Sequence, residues 1–213
     1  MMYPILYISI SVVIAYLLGS IPTAYLAGKL FMKIDIREHG SGNVGATNAL
    51  RVLGNKMGII VLLIDILKGA LAVYIAKIFL ESQWQIILAS FFAIVGHIYT
   101  CFLGFKGGKG VATAAGVCFI LIPVNLAFAL FVFSIVLILS KYVSLSSISA
   151  ALVLLTLQGM RLCLVTGHFY NHELANFIFV LIIVVFVIVK HIPNIKRLIN
   201  GNENKISLKK KVT

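Results

Sequence analysis

Two short glycine-rich segments carry most of the polar chemistry of a chain that is otherwise largely hydrocarbon. The first, residues 41–51 (SGNVGATNALR), sets Gly42 and Gly45 among Ser41, Asn43, Thr47 and Asn48 and closes on Arg51. Glycine lets the backbone turn tightly and present its N–H groups, short hydroxyls and amides add donors, and a guanidinium adds a fixed positive charge. That is the chemistry of an anion cradle, above all a phosphate cradle. The same residue types also build an ordinary turn followed by a helix cap. The second segment, residues 104–110 (GFKGGKG), places Gly107 and Gly108 between Lys106 and Lys109. Two further stretches add polar groups: KYVSLSS with Lys141, Ser144, Ser146 and Ser147, and HIPNIKR with His191 and Asn194. His97 and His191 supply groups that titrate near neutral pH. Acids are scarce, with only Asp35 and Glu38 near the first loop in sequence. Such a set suits phosphate and lacks the carboxylate cluster of a divalent-cation site, so neither metal nor cofactor is expected.

The elements that must position these loops are membrane helices. Of 213 residues, 61% are hydrophobic and 11% charged, with a mean hydropathy of +1.08. A soluble domain carries roughly twice that charge. Apolar runs reach the roughly 20 residues that cross a bilayer core of about 30 Å as a helix, without the alternation a transmembrane barrel needs. An all-α, polytopic transmembrane helix bundle in one domain is expected. The N-terminus, MMYPILYISI, lacks the basic lead of a secretory signal, so its helix should persist in the mature protein. The formal charge of +12 reports orientation toward the cytoplasm rather than nucleic-acid binding. Cys101, Cys118 and Cys163 lie in apolar context without metal-ligand spacing, which points to core packing.

Taken in order, a first span is expected over about 4–29, a second over about 57–80 and a third over about 86–103. The next apolar stretch, 111–140, is too long for one ordinary span, and Pro123 with Asn125 offers a turn in its middle. Without a break, the later basic clusters fall outside; with one, about seven spans put every basic cluster inside. The N-terminus is then outside, the C-terminus is cytoplasmic, and the fourth span, about 108–122, is short and tilted or partly re-entrant. Spans six and seven are expected over about 145–160 and 174–189, joined outside by RLCLVTGHFYNHE. The tail from His191 should begin as a basic turn at the surface. It ends in Lys209, Lys210 and Lys211, an anchor to anionic lipid worth about 1 kcal/mol per lysine. The four polar segments thereby fall on one cytoplasmic face. Asp65 and Lys68, one turn apart in the second span, predict an ion pair inside the bundle.

Several chemistries do not fit. GFKGGKG lacks the P-loop spacing, with Gly110 where the magnesium-binding hydroxyl would stand. A G-x-S-x-G nucleophile elbow is missing. His168 and Glu173 lie five residues apart, as in many acyltransferases with soluble heads, but on the opposite face by this topology, as a chance pairing. His39 and His172 read as solvated loop residues. A metabolite transporter should instead show midplane polar groups on broken helices and internal repeats. A non-enzymatic lipid-binding scaffold would not need four convergent motifs.

The whole chain resembles the acyl-phosphate:glycerol-3-phosphate acyltransferases of bacterial membranes, the PlsY type. The resemblance rests on GSGNVGATNALR at 40–51, GHIYTCFLGFKGGKGVAT at 96–113 and HIPNIKRLINGNE at 191–203. DILKGALAV at 65–73 and KYVSLSSI at 141–148 support it. It departs from the family pattern at Ile192 and Pro193, which stand for Arg and Glu, and at 99–101, which stand for Phe-Pro-Val. The resemblance implies transfer of an acyl group from acyl phosphate to the 1-hydroxyl of sn-glycerol 3-phosphate. The products are lysophosphatidic acid and phosphate, formed without a covalent enzyme intermediate, as the first step of phospholipid synthesis in the cell membrane. On that reading Ser41, Gly42, Asn43, Gly45, Thr47 and Asn48 hold one phosphate, and Arg51, Lys106 and Lys109 neutralise phosphate and transition state. His97 or His191 accepts the hydroxyl proton, unless a substrate phosphate does. Ser41 and Lys109 are counted with the histidines as catalytic, and Gly107, Gly108, Ser144, Ser147 and Asn194 as substrate-binding. The expected partners are the two substrates and bilayer lipid. Residues 1–190 would form the membrane acyltransferase domain, and 191–213 a cytoplasmic motif and tail.

Overall fold

The computed structural model describes residues 2–167 and 170–206, and these residues are helical apart from loops and turns. Among them, six helices are long and apolar enough to cross a membrane, and one shorter apolar helix, Val111–Leu121, accompanies them. The all-α polytopic expectation holds. The chain divides into two compact units, within Met1–Ile120 and within Leu121–Ser207. His168 and the lysine cluster 209–211 lie outside the described residues.

In the first unit, helix α1 (Met2–Ser20) stops at Ile21–Pro22 and resumes as α2 (Thr23–Ala27), which runs into a π-helical turn, Gly28–Met32. The first span is therefore broken, not continuous as the hydropathy suggests. Pro22 lacks an N–H and crowds the preceding turn, and here the helical hydrogen bonds stop at it, with the Ile21 carbonyl accepting from the Thr23 N–H instead. A short 3-10 turn, Ile36–Glu38, leads to α3 (Ala46–Leu53), followed by α4 (Asn55–Phe79) and α5 (Gln83–Ile98). The second half of the first glycine segment is thus the helix α3, with Gly45 at its N-cap. Cradle and cap coexist.

Helix α1 lies against α5 along small residues. A Cβ on Gly19 would strike the carbonyl of Ala93, and one on Gly96 would strike the carbonyl of Tyr16 and Ser20. Ala15, Ala72 and Ala93 fill the space where α1, α4 and α5 meet. Small residues let helix backbones approach closely, which is how helices associate where no water drives them together. A separate cluster of Ala24, Ala27, Ile36, Val44, Ala49 and Val61 packs α2 and α3 against the start of α4.

Helix α6 (Val111–Leu121) has 11 residues, about 16 Å at 1.5 Å per residue, and is too short to cross a bilayer core by itself. The expected break falls where the sequence places it. Pro123 opens α7 (Pro123–Ser140) at its first turn, after Ile122 leaves helical geometry at φ −141° and ψ 57°. Proline fits a first helical turn because its missing N–H would have had no partner there.

The second unit is built from α7, α8 (Val143–Leu164) and α9 (Tyr170–Ile199), with α8 packed against both others. The 30-residue α9 contains Pro193 and carries HIPNIKR within it. That corrects two expectations, because HIPNIKR is helix rather than a surface turn, and much of RLCLVTGHFYNHE belongs to α8 and α9 rather than to a loop. His172 is exposed on α9, and His39 is exposed beside the 3-10 turn. The cysteines divide: Cys118 is buried, while Cys101 and Cys163 are exposed, so core packing is wrong for those two. Both sit at helix ends, where hydropathy does not report burial.

Candidate active site

The first glycine loop is held from beneath by Asn48, which is 1% exposed. Its Oδ1 accepts from the backbone N–H of Ser41 at 2.8 Å, and its Nδ2 donates to the carbonyls of Ile36 and His39 at 3.2 and 3.1 Å. The N–H of Gly42 donates to the His39 carbonyl at 3.1 Å. Gly42 takes φ +70°, a left-handed value that costs a residue with a side chain and costs glycine little. With Asn48 spent inside, Ser41 and Gly42 are exposed, and Asn43 and Thr47 are half-buried above it. The first N–H groups of α3 have no preceding helical carbonyl to reach, so this end carries the partial positive charge of a helix N-terminus. Arg51, on the last turn of the same helix, is half-buried.

Beside the loop, Asp35 accepts two hydrogen bonds from the Arg37 guanidinium at 3.0 and 2.7 Å. The Arg37 bond holds the Asp35 carboxyl down at about 2. Asp35, one of the two acids near the cradle in sequence, is thereby paired with a cation. Arg37 also lies over the Tyr25 ring, 5.1 Å from its centroid.

The second glycine loop folds back on the end of α5. The N–H groups of Gly107 and Gly108 donate to the carbonyls of Ile98 and His97, each at 3.0 Å. Gly108 is a glycine of close approach, since a Cβ there would strike His97 Nε2 and the carbonyl of Val44. Val44 belongs to the first loop, so the two loops meet over His97. Lys106 is exposed and Lys109 half-buried. The histidine is 7% exposed. Its Nδ1 lies 3.2 Å from Thr113 Oγ1 and 3.7 Å from Asp65 Oδ1.

Asp65 and Lys68 form the expected ion pair at 2.8 Å, both deeply buried. Thr23 Oγ1 donates to Asp65 Oδ1 at 2.8 Å, and Lys68 Nζ donates to the Ile21 carbonyl at 3.0 Å. Thr23 and Thr113 carry no assigned role in the sequence, since a lone hydroxyl does not name its partner. A cavity of about 350 Å³ adjoins this region, lined by Ile21, Pro22, Tyr25, Leu26, Phe102 and Leu103.

In the second unit, Glu203 organises the polar end. It is 8% exposed, and its Oε1 accepts from Ser144 Oγ at 2.8 Å and Asn194 Nδ2 at 2.7 Å, while Oε2 accepts from Arg197 Nε at 2.7 Å. Burial alone would raise its carboxyl, but the bonds from Asn194, Ser144 and Arg197 outweigh burial and hold it below its ordinary value. Ser147 Oγ donates to the Val143 carbonyl at 2.9 Å, and Ser146 Oγ to the Tyr142 carbonyl at 2.8 Å. His191 Nδ1 lies 2.7 Å from the Val187 carbonyl. Lys141 is exposed. The structure thus brings Ser41, Gly42, Asn43, Gly45, Thr47, Asn48, His97, Gly107 and Gly108 together in the first unit. It groups Ser144, Ser147, His191 and Asn194 around one end of the second. At the other end, Glu173 binds Gln158 and Arg161 at 2.6 and 2.8 Å, which is a structural use for a carboxylate that the sequence paired by chance with His168.

Bilayer-length helices that carry basic glycine loops at their ends and, among the described residues, bury charge in pairs or hydrogen-bonded clusters define a polytopic membrane protein. A model of the glycerol-3-phosphate acyltransferase family matches residues 9–201, and the chain belongs to that family. It is 43% identical over 196 residues to a glycerol-3-phosphate acyltransferase of Fusobacterium nucleatum, covering 91% of this chain and 95% of that one. It is 45% identical over 197 residues to glycerol-3-phosphate acyltransferase 2 of Bacillus anthracis, covering 92% and 98%. The crystal structure of PlsY, an integral membrane glycerol 3-phosphate acyltransferase, in its glycerol 3-phosphate form superimposes with a TM-score of 0.84 at 36% identity, over 94% of this chain and 96% of that one. Its lysophosphatidic acid form gives 0.81 at 34% identity, with the same coverage. The family resemblance carried by the three motifs is correct.

Proposed function

We propose that this protein transfers a fatty acyl group from acyl phosphate to the 1-hydroxyl of sn-glycerol 3-phosphate in the bacterial plasma membrane, the first step of phospholipid synthesis. The hydroxyl oxygen attacks the acyl carbonyl carbon, the bond from that carbon to the phosphate oxygen breaks, and the hydroxyl proton passes to a base. Lysophosphatidic acid and inorganic phosphate result. The observation that carries the reading is family membership along nearly the whole chain, with solved relatives in glycerol 3-phosphate and lysophosphatidic acid forms. An acyl phosphate is an activated mixed anhydride, so direct attack needs no enzyme nucleophile. Two phosphate-bearing substrates suit two basic glycine loops.

Within the reading, Ser41, Gly42, Asn43, Gly45 and Thr47 cradle one phosphate, with Asn48 shaping the loop. Arg51, Lys106 and Lys109 offset negative charge as it develops, a type of stabilisation worth roughly 3 to 4 kcal/mol per well-placed donor. His191 or His97 accepts the proton, and Ser144, Ser147 and Asn194 contribute substrate contacts. The catalytic face is cytoplasmic, with residues 191–213 as its motif and basic tail. The deciding assay combines purified protein with acyl phosphate and glycerol 3-phosphate and follows phosphate release. Release that requires both substrates is expected. Release from acyl phosphate alone, or none from folded protein, overturns the reading. Lys109→Ala should lower kcat/KM about a hundredfold.

A further inference from the structure

The buried cluster in the first unit reaches from the break in the first span to both glycine loops. Pro22 interrupts the helix and leaves carbonyls that helical bonding does not satisfy. Lys68 Nζ occupies that of Ile21 at 3.0 Å, and Thr100 Oγ1 bonds that of Ser20 at 2.5 Å. The same ammonium holds Asp65 at 2.8 Å, and Thr23, just past the proline, bonds the same carboxylate oxygen. That oxygen and Thr113 Oγ1 face His97 Nδ1 from α4 and α6. On its other side the ring meets Gly108, which also abuts the Val44 carbonyl of the first loop. The His97 carbonyl in turn holds the Gly108 N–H.

A buried ion pair is a weak source of stability, because desolvation of both charges offsets their attraction and an apolar pair of similar size often serves as well. Stability alone therefore does not account for a carboxylate and an ammonium some ten residues into an apolar helix. We infer that Asp65, Lys68 and Thr113 are positioning residues: they fix the His97 ring, and through it the register of the GFKGGKG turn against the first loop. The inference rests on the acyltransferase reading, since it is a statement about turnover. A ring free to rotate would release Gly108 from its contact with Nε2 and Val44, and misplacement of a loop by about 1 Å can cost about a hundredfold in rate.

The test measures kcat, KM and the thermal midpoint for wild type, Thr113→Val, Thr113→Ser and the double variant Asp65→Leu/Lys68→Met in purified enzyme. Thr113→Val keeps the volume and removes the hydroxyl that faces Nδ1; Thr113→Ser keeps the hydroxyl and removes a methyl. Positioning predicts a kcat at least about tenfold lower for Thr113→Val, recovered by Thr113→Ser even though the serine leaves a small void. Mere packing predicts the reverse order, with full turnover for valine and lower stability for serine, and that result overturns the inference. The double variant should melt near wild type yet turn over at least about tenfold more slowly. Wild-type turnover in a stable double variant also overturns the inference. Should the double variant not fold, the threonine pair decides alone. An inactive wild type would instead sink the acyltransferase reading, so the two failures are distinct.

Discussion

Single side chains in this protein often serve the loops rather than face outward from them. Asn48 lies in the motif that reads as an anion cradle, yet its amide is committed to Ser41, Ile36 and His39. Asn48→Ala removes these bonds and leaves buried groups unpaired. A loss of roughly 2 to 3 kcal/mol is expected by thermal or denaturant unfolding, with a raised KM for a phosphate-bearing substrate in the folded fraction. Glu203 is the counterpart in the second unit, with three donors on one carboxylate. Its folded value lies below its unfolded one. Its contribution is therefore present above the unfolded value and is lost as pH falls through the folded value. Melting temperature should drop for wild type as pH falls from about 5 to about 3 relative to Glu203→Gln, whose amide has no charge to lose. Parallel pH curves for the two proteins would contradict that role.

Helices here are organised by where they stop and how closely they approach. The break at Pro22 and the restart at Pro123 follow from the missing N–H of proline, one interrupting a span and the other opening a helix. The α1–α5 contact follows from missing side chains. Gly96→Ala would place a methyl against the backbone of Tyr16 and Ser20, which cannot rotate away as a side chain could. The two helices must separate along their length. A cost of about 1 to 3 kcal/mol is expected, read as a lower thermal midpoint in detergent. A matching change at Gly54, where a Cβ meets nothing within 4 Å, probes backbone strain at φ +85° without crowding. Gly96 is helical and carries no such strain, so its loss reports the packing contribution directly.

At the scale of the whole molecule, the charge pattern makes a prediction about orientation that the protein's own cysteines can test. Cys101 and Cys163 are exposed and Cys118 is buried. Cys101 follows α5, on the side expected to be cytoplasmic, and Cys163 ends α8 on the side expected to be outside. A membrane-impermeant maleimide applied to intact cells that express the protein should modify Cys163 alone. After permeabilisation it should reach Cys101, and Cys118 should react only on unfolding. Labelling of Cys101 rather than Cys163 in intact cells would invert the topology and move the proposed catalytic face to the outside.

Composition and run length were enough to establish that this is a helical membrane protein, because crossing hydrocarbon demands about 20 apolar residues and internal backbone hydrogen bonds. The Pro123 break was legible for a local reason, as proline acts on its own turn. The three motifs carried the family, and the Asp65–Lys68 pair was visible because two charges three residues apart in an apolar helix have few other partners. Tertiary structure decided what lies beyond local reach. The break at Pro22 stayed hidden inside a stretch whose mean hydropathy suits a single span. The continuation of α9 through Pro193 reversed a local signal, since packing overrides propensity. Thr23 and Thr113 acquired meaning only when folding set them beside Asp65 and His97, because a hydroxyl announces nothing until a partner some 40 residues or more away, or on another helix, comes within hydrogen-bonding distance.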